Sequence, residues 1–170
     1  WRVYHRMANG GSSPEDYIIQ LNGDDDFSND NTNFGAPTST HFTVKTSSGT
    51  NNGSGTYIAY LFGHDTSSDG MIQCGSYTGN GSNDGLDINL GFEPQWILVK
   101  GASSGAAYNW FIWDEIRGMT VDRGGPWLRP DLNSAEGSSA GLAVTSTSTG
   151  LKTGNDANTN ANNETYIYVA

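Results

Sequence analysis

The chain has 170 residues, enough for one or two small domains that each bury a modest core. Only 15% of them are charged, the net charge is −10, and Lys and Arg together number 8, which argues against nucleic acid as a partner, since phosphate binding needs clustered cations. Trp (5), Tyr (8) and Phe (6) supply buriable surface that a disordered chain lacks, and the single cysteine, Cys74, excludes an intrachain disulfide or a two-cysteine metal site.

Taken in order, Trp1 to His5 alternates as a strand with one buried face should. Asp16 to Leu21 (DYIIQL) reads as a second strand, and Asn22 to Thr40 as a long polar excursion carrying Asp24, Asp25 and Asp26. His41 to Val44 is a short strand, and a Gly/Asn/Ser turn follows through Gly55. Thr56 to Phe62 (TYIAYLF) is the strongest strand signal of the first half.

Beyond a loop at Gly63 to Gly70, MIQCGSYTGNGS leads to Leu86 to Leu90, which alternates cleanly. Cys74 reads as a small buried strand residue. The densest apolar stretch then runs from Gly91 to Gly118. Gln95 to Lys100 is a buried strand stopped by Gly101, and Trp110 to Trp113 is the returning one. Asp114 to Arg117 is the one segment with the look of a helical turn, since no segment keeps a 3.6-residue period over three turns. A turn at Gly124-Gly125-Pro126 precedes Trp127 and Leu128. Gly141 to Val144 and Thr165 to Ala170 complete the strands. No run reaches the ~20 apolar residues of a helical membrane span, so membrane insertion is not expected.

An internal repeat runs through this pattern. Trp1-Arg2-Val3-Tyr4 matches Trp110-Phe111-Ile112-Trp113, an offset of 110 − 1 = 109. Thr56-Tyr57-Ile58 matches Thr165-Tyr166-Ile167 at the same offset, and Thr38-Ser39-Thr40 and Thr50-Asn51 fall on Thr147-Ser148-Thr149 and Thr159-Asn160. The expected architecture is all-β and antiparallel, sandwich-like, with residues 1–70 as the C-terminal part of a first unit and 71–170 as a second. The second unit has strands before Trp110 that have no counterpart before Trp1. An open sheet edge is therefore expected, in a piece of a longer multi-unit protein or a subunit completed by neighbours.

The phrases CGSYTGNGS, GFEPQWILVK, NWFIWDEIRG and TYIAYLFGHD resemble a domain of unknown function that recurs in tail-fibre-like and other virion proteins of tailed bacteriophages, marine ones especially. The resemblance implies a non-enzymatic β module of a tail fibre or receptor-binding appendage in the extracellular virion. The partners it implies are other copies of itself (fibres are typically trimers), other virion proteins and a host-surface glycan. It brings no catalytic or ligand residues. A purely architectural subunit, such as a capsid decoration or tail ornament, and a carbohydrate-binding module of a cell-surface protein are the alternatives.

The residues themselves point away from catalysis and from a cofactor. Asp114 and Glu115 are adjacent and would face opposite sides of a strand, His5, His41 and His64 are isolated, and neither a GxSxG nor an HExxH pattern occurs. No metal site is expected, although Asp24 and Asp26 lie in an oxygen-rich loop of the kind that holds calcium. A sugar platform needs an exposed aromatic ring beside polar groups. Tyr77 in the Gly-rich loop, Tyr108 in the turn beside Trp110 and Trp127 after Gly-Gly-Pro are the expected candidates, whereas Trp96, Trp110 and Trp113 are expected in the core.

Overall fold

A computed structural model describes residues 1–103, 105–119 and 125–170. In chain order the strands are Arg2–Val3 (β1), Tyr17–Gln20 (β2), Ser28–Asn29 (β3), Phe34–Gly35 (β4), Thr43–Val44 (β5), Cys74–Thr78 (β6), Asp87–Asn89 (β7), Trp96–Gly101 (β8), Trp110–Asp114 (β9), Val144–Thr147 (β10), Gly150–Thr153 (β11) and Thr165–Val169 (β12). Among the described residues a short α-helix, Ala157–Asn160 (α1), precedes the last strand, and 3-10 turns lie at Ala8–Gly11 and Pro14–Asp16. The fold is all-β, and the pairings between strands are antiparallel.

Period-2 alternation builds the centre. A four-stranded sheet in the order β6-β12-β8-β9 carries apolar residues on both faces. Tyr77, Ile97, Val99, Phe111, Trp113, Tyr166 and Tyr168 point to one side, where they meet Val144 and Leu151 from the sheet β10-β11-β7 and Leu90 just after β7. The residues between them, Trp110 and Ile167 with Leu98, point to the other side and pack on Ile19, Val3 and Met7 from the first half of the chain. A strand whose two faces are both covered has no polar face. This is why Thr165–Val169 and Trp96–Gly101 read as continuous apolar runs.

Two expectations fail. Asp114 to Arg117 is not a helix: Asp114 ends β9, and a turn follows in which Asp114 Oδ1 accepts from the Arg117 amide at 2.9 Å. The helix lies instead at Ala157–Asn160, where the Asp156 carboxylate caps the Asn158 amide at 2.8 Å. Thr56 to Phe62 is also not a strand. No backbone hydrogen bond joins it to a neighbour among the described residues, and Ile58, Tyr60 and Leu61 are 71%, 70% and 72% exposed. Its composition suits a sheet, but a strand exists only beside a partner. The expected turn at Gly124-Gly125-Pro126 lies partly outside the described residues.

The 109-residue spacing recurs in the hydrogen bonding. Val3 pairs with Ile19, and the residues 109 positions later, Ile112 and Leu128, pair in the same way. Ile18 with Ser28 recurs as Trp127 with Gly137. The turn in which Thr50 and Asn51 donate to the Ser47 carbonyl recurs where Thr159 and Asn160 donate to that of Asp156. Tyr57 Oη donates to Ser48 O at 3.0 Å and accepts from Asn52 N. Its counterpart Tyr166 Oη donates to Ala157 O and accepts from Ala161 N at 2.8 Å. The hairpin β4-β5 corresponds to β10-β11 with a one-residue shift in its first strand.

Candidate functional site

The surface feature that stands out chemically is the bare segment at Thr56 to Phe62. Tyr57 is held at one end by its hydroxyl, and Phe62 at the other by a stack on Trp96, with ring centroids 6.1 Å apart and planes within 6°. Between these anchors Tyr60 leans on Trp1 at 5.9 Å. Phe62 and Trp96 also line a groove of about 460 Å³ with Met71, Phe92 and Val169. The apolar exposure here is clustered in one segment rather than scattered singly.

A second cluster joins the first half of the chain to the sheet. Lys100 lies on the face of β8 covered by residues of the first half, fully buried. Its ammonium donates to Asp24 O at 2.9 Å and Gly101 O at 2.7 Å. Burial pushes its pKa below the usual lysine value, while Asp26, Asp131, Asp24 and Glu164 pull it back up. Buried Glu164 accepts through Oε1 from the amides of Ala102 and Ser103 at 2.9 and 2.8 Å, so its charge is met by backbone dipoles. Asp26 accepts from the Gly105 amide. The Asp24/Asp26 loop thus turns toward a lysine, to which Asp24 offers its main-chain carbonyl. Among the described residues no group of three or more His, Cys, Asp or Glu is placed to hold a metal ion. Sequence reasoning missed Lys100 and Glu164 as buried charges. The available signal was a Lys closing an otherwise apolar strand and a Glu opening another.

His5 forms a third contact between the halves. Its Nε2 lies 3.1 Å from Tyr168 O, and Nδ1 accepts from the Met7 amide at 3.2 Å, which fixes the Nε2–H tautomer. Burial lowers its pKa to about 4, so the ring is neutral at pH 7.

Of the three expected sugar contacts, Tyr77 and Tyr108 both lie against the Tyr166 ring, and Trp127 lies against Phe111. Tyr77 is a core residue: it stacks on Tyr166 at 5.0 Å, and its hydroxyl donates to Thr159 O at 2.9 Å. It lies on β6 rather than in a loop, and the alternation of that strand turns its ring inward, so it offers no platform to solvent. Tyr108 is half-buried against Gly101, where a Cβ would come within 2.5 Å of its Cδ2. Trp127 is half-buried, edge-on to Phe111 at 5.4 Å, with the Arg129 guanidinium 4.9 Å above its ring. One face of Trp127 is therefore already taken by a cation. Trp110 and Trp113 lie in the core as expected, 3% and 0% exposed, whereas Trp96 is half-buried beside the groove. Cys74 is buried and free.

No curated protein and no solved structure matches the chain. A family model described as a domain of unknown function, DUF7483, matches residues 1–170 in full, and the chain belongs to that family.

Proposed function

We propose that the chain is a non-enzymatic structural module of a bacteriophage virion, part of a tail fibre or receptor-binding appendage that takes part in host attachment. The observation that carries this reading is the co-occurrence of CGSYTGNGS and GFEPQWILVK, the phrases most specific to the virion-protein resemblance. They are also the strands β6 and β8 that flank β12. The exposed apolar segment at Thr56 to Phe62 supports a chain that is held by neighbours. Attachment would be multivalent: weak contacts become firm when several copies face one host surface at high effective concentration.

A purely architectural role is the second reading, favoured by the burial of Tyr77 and by the cation over Trp127. Immunogold electron microscopy of purified phage, with antibody raised against residues 1–170, separates the two. Label at the tail tip or fibres is the expected result. Label over the capsid or along a tube would assign the architectural role, and particles without label would overturn the virion assignment in favour of a cell-surface module.

A further inference from the structure

We infer that the first half of the chain is an acceptor for three strands, and that its occupant is the β6-to-β8 segment of another copy of this repeat unit. This inference holds whatever particle or surface the protein belongs to.

The first half keeps the β1-β2 pairing, the β4-β5 hairpin, the turn at Ser47 and the tyrosine hook of the second half, but the described residues hold no counterparts of β6, β7 and β8 for it. Trp1, Phe42, Val44, Tyr57, Ile58 and Tyr60 are exposed, and they lie at positions whose counterparts meet those three strands or the residue just before β7. Trp1 corresponds to Trp110, which pairs with Lys100 on β8. Phe42 corresponds to Leu151, which pairs with Ile88 on β7, and Val44 to Thr153, whose amide donates to Leu86 O. Tyr57, Ile58 and Tyr60 correspond to Tyr166, Ile167 and Val169, which pair with Tyr77, Ser76 and Cys74 on β6 and with Gly101, Lys100 and Leu98 on β8.

Exposure follows the missing contact. Trp1 is 61% exposed and Trp110 3%, Ile58 71% and Ile167 1%, Phe42 43% and Leu151 1%. The acceptor is thus already shaped by its own hydrogen bonds, and it offers unpaired main chain on both edges of Thr56 to Leu61, the geometry that strand addition uses. One detail sets the fit. Gly75 on β6 is required opposite Tyr168, where a Cβ would strike the ring, but the counterpart of Tyr168 is Ala59. A donor strand at Thr56 to Leu61 therefore has room for a side chain at its Gly75 position.

The test places a second copy of residues 71–109 directly before Trp1, which reproduces the Asn109-to-Trp110 connection at Asn109-to-Trp1. Amide exchange followed by NMR should slow at Tyr57 to Leu61 on the order of 100-fold relative to the unextended chain, toward the protection of Tyr166 to Val169. Unchanged exchange in a folded fusion would overturn the inference. The same segment added as a separate peptide gives a reading that does not depend on the fusion folding. One peptide per chain should bind, and Ile58→Asp, at an exposed site that leaves the remainder folded, should abolish binding. Equal binding by that variant, or no binding at all, would overturn the inference. So would protection of Tyr57 to Leu61 that appears when the unextended chain alone is concentrated, because the occupant would then be a second copy of the whole chain.

Discussion

Thr56-Tyr57-Ile58 and Thr165-Tyr166-Ile167 are the same tripeptide, 109 residues apart, entered through the same turn and anchored by the same tyrosine hook. One is bare and the other is enclosed, with a partner on each edge and a core on each face. Local sequence and local hydrogen bonds are therefore shared, and what separates a strand from an exposed segment is the presence of neighbours. In β-structure, propensity largely measures fit to a surface that other strands must provide.

The sharpest way to break this comparison is a charge at the matched isoleucines. Ile167→Asp buries an uncompensated carboxylate between two apolar layers and should cost more than about 4 kcal/mol, seen as loss of the cooperative thermal transition. Ile58→Asp should stay within about 0.5 kcal/mol in the same melt. The matched tryptophans come next. Trp110→Ala removes a ring buried against Ile19 and Ile167, together with the indole bond to Gln20 O, at a cost of about 3–5 kcal/mol in denaturant unfolding. Trp1→Ala should cost less than about 1 kcal/mol. Equal losses in either pair would mean that the first half is enclosed after all.

Acid should loosen the joint between the two halves. His5 titrates at about 4 in the folded chain and near 6.5 when unfolded, so the unfolded state binds more protons between these values. Stability is fully present above about pH 6.5 and falls as the pH drops toward 4, by up to about 3 kcal/mol. His64, whose pKa is also lowered by burial, adds in the same direction. Denaturant midpoints measured across this range should decline in the native chain and decline less in His5→Gln. The smallest effect belongs to the hooks. Tyr166→Phe should cost about 1–3 kcal/mol because two backbone groups lose a part-buried partner, and Tyr57→Phe less than about 1 kcal/mol because water replaces it.

Alternation made β8, β9 and β12 legible, and the matched phrases made the repeat legible. Each depends on spacing along the chain, which folding does not alter. The sequence could not reveal that Thr56 to Phe62 lacks a partner, because pairing is a property of the whole sheet. Helix α1 was hidden in an Asn-rich stretch whose one positive sign was Asp156 standing where a cap belongs. Tyr77 was misplaced because the glycines around CGSYTGNGS resemble a loop. In the fold they admit the Tyr168 ring at Gly75 and the Ala161 carbonyl at Gly79. The burial of Lys100 left a trace in its place at the end of an apolar strand, but its acceptors did not, since one of the two carbonyls, that of Asp24, comes from 76 residues away.

Native-state hydrogen exchange of the 170-residue chain, read residue by residue, bears most directly on the difference between the two matched segments. Amides of Tyr57 to Leu61 should exchange at nearly the rate of an unstructured peptide, while those of Tyr166 to Val169 open only with global unfolding. Comparable protection at the two segments in a monomeric sample would contradict the view that neighbours alone distinguish them.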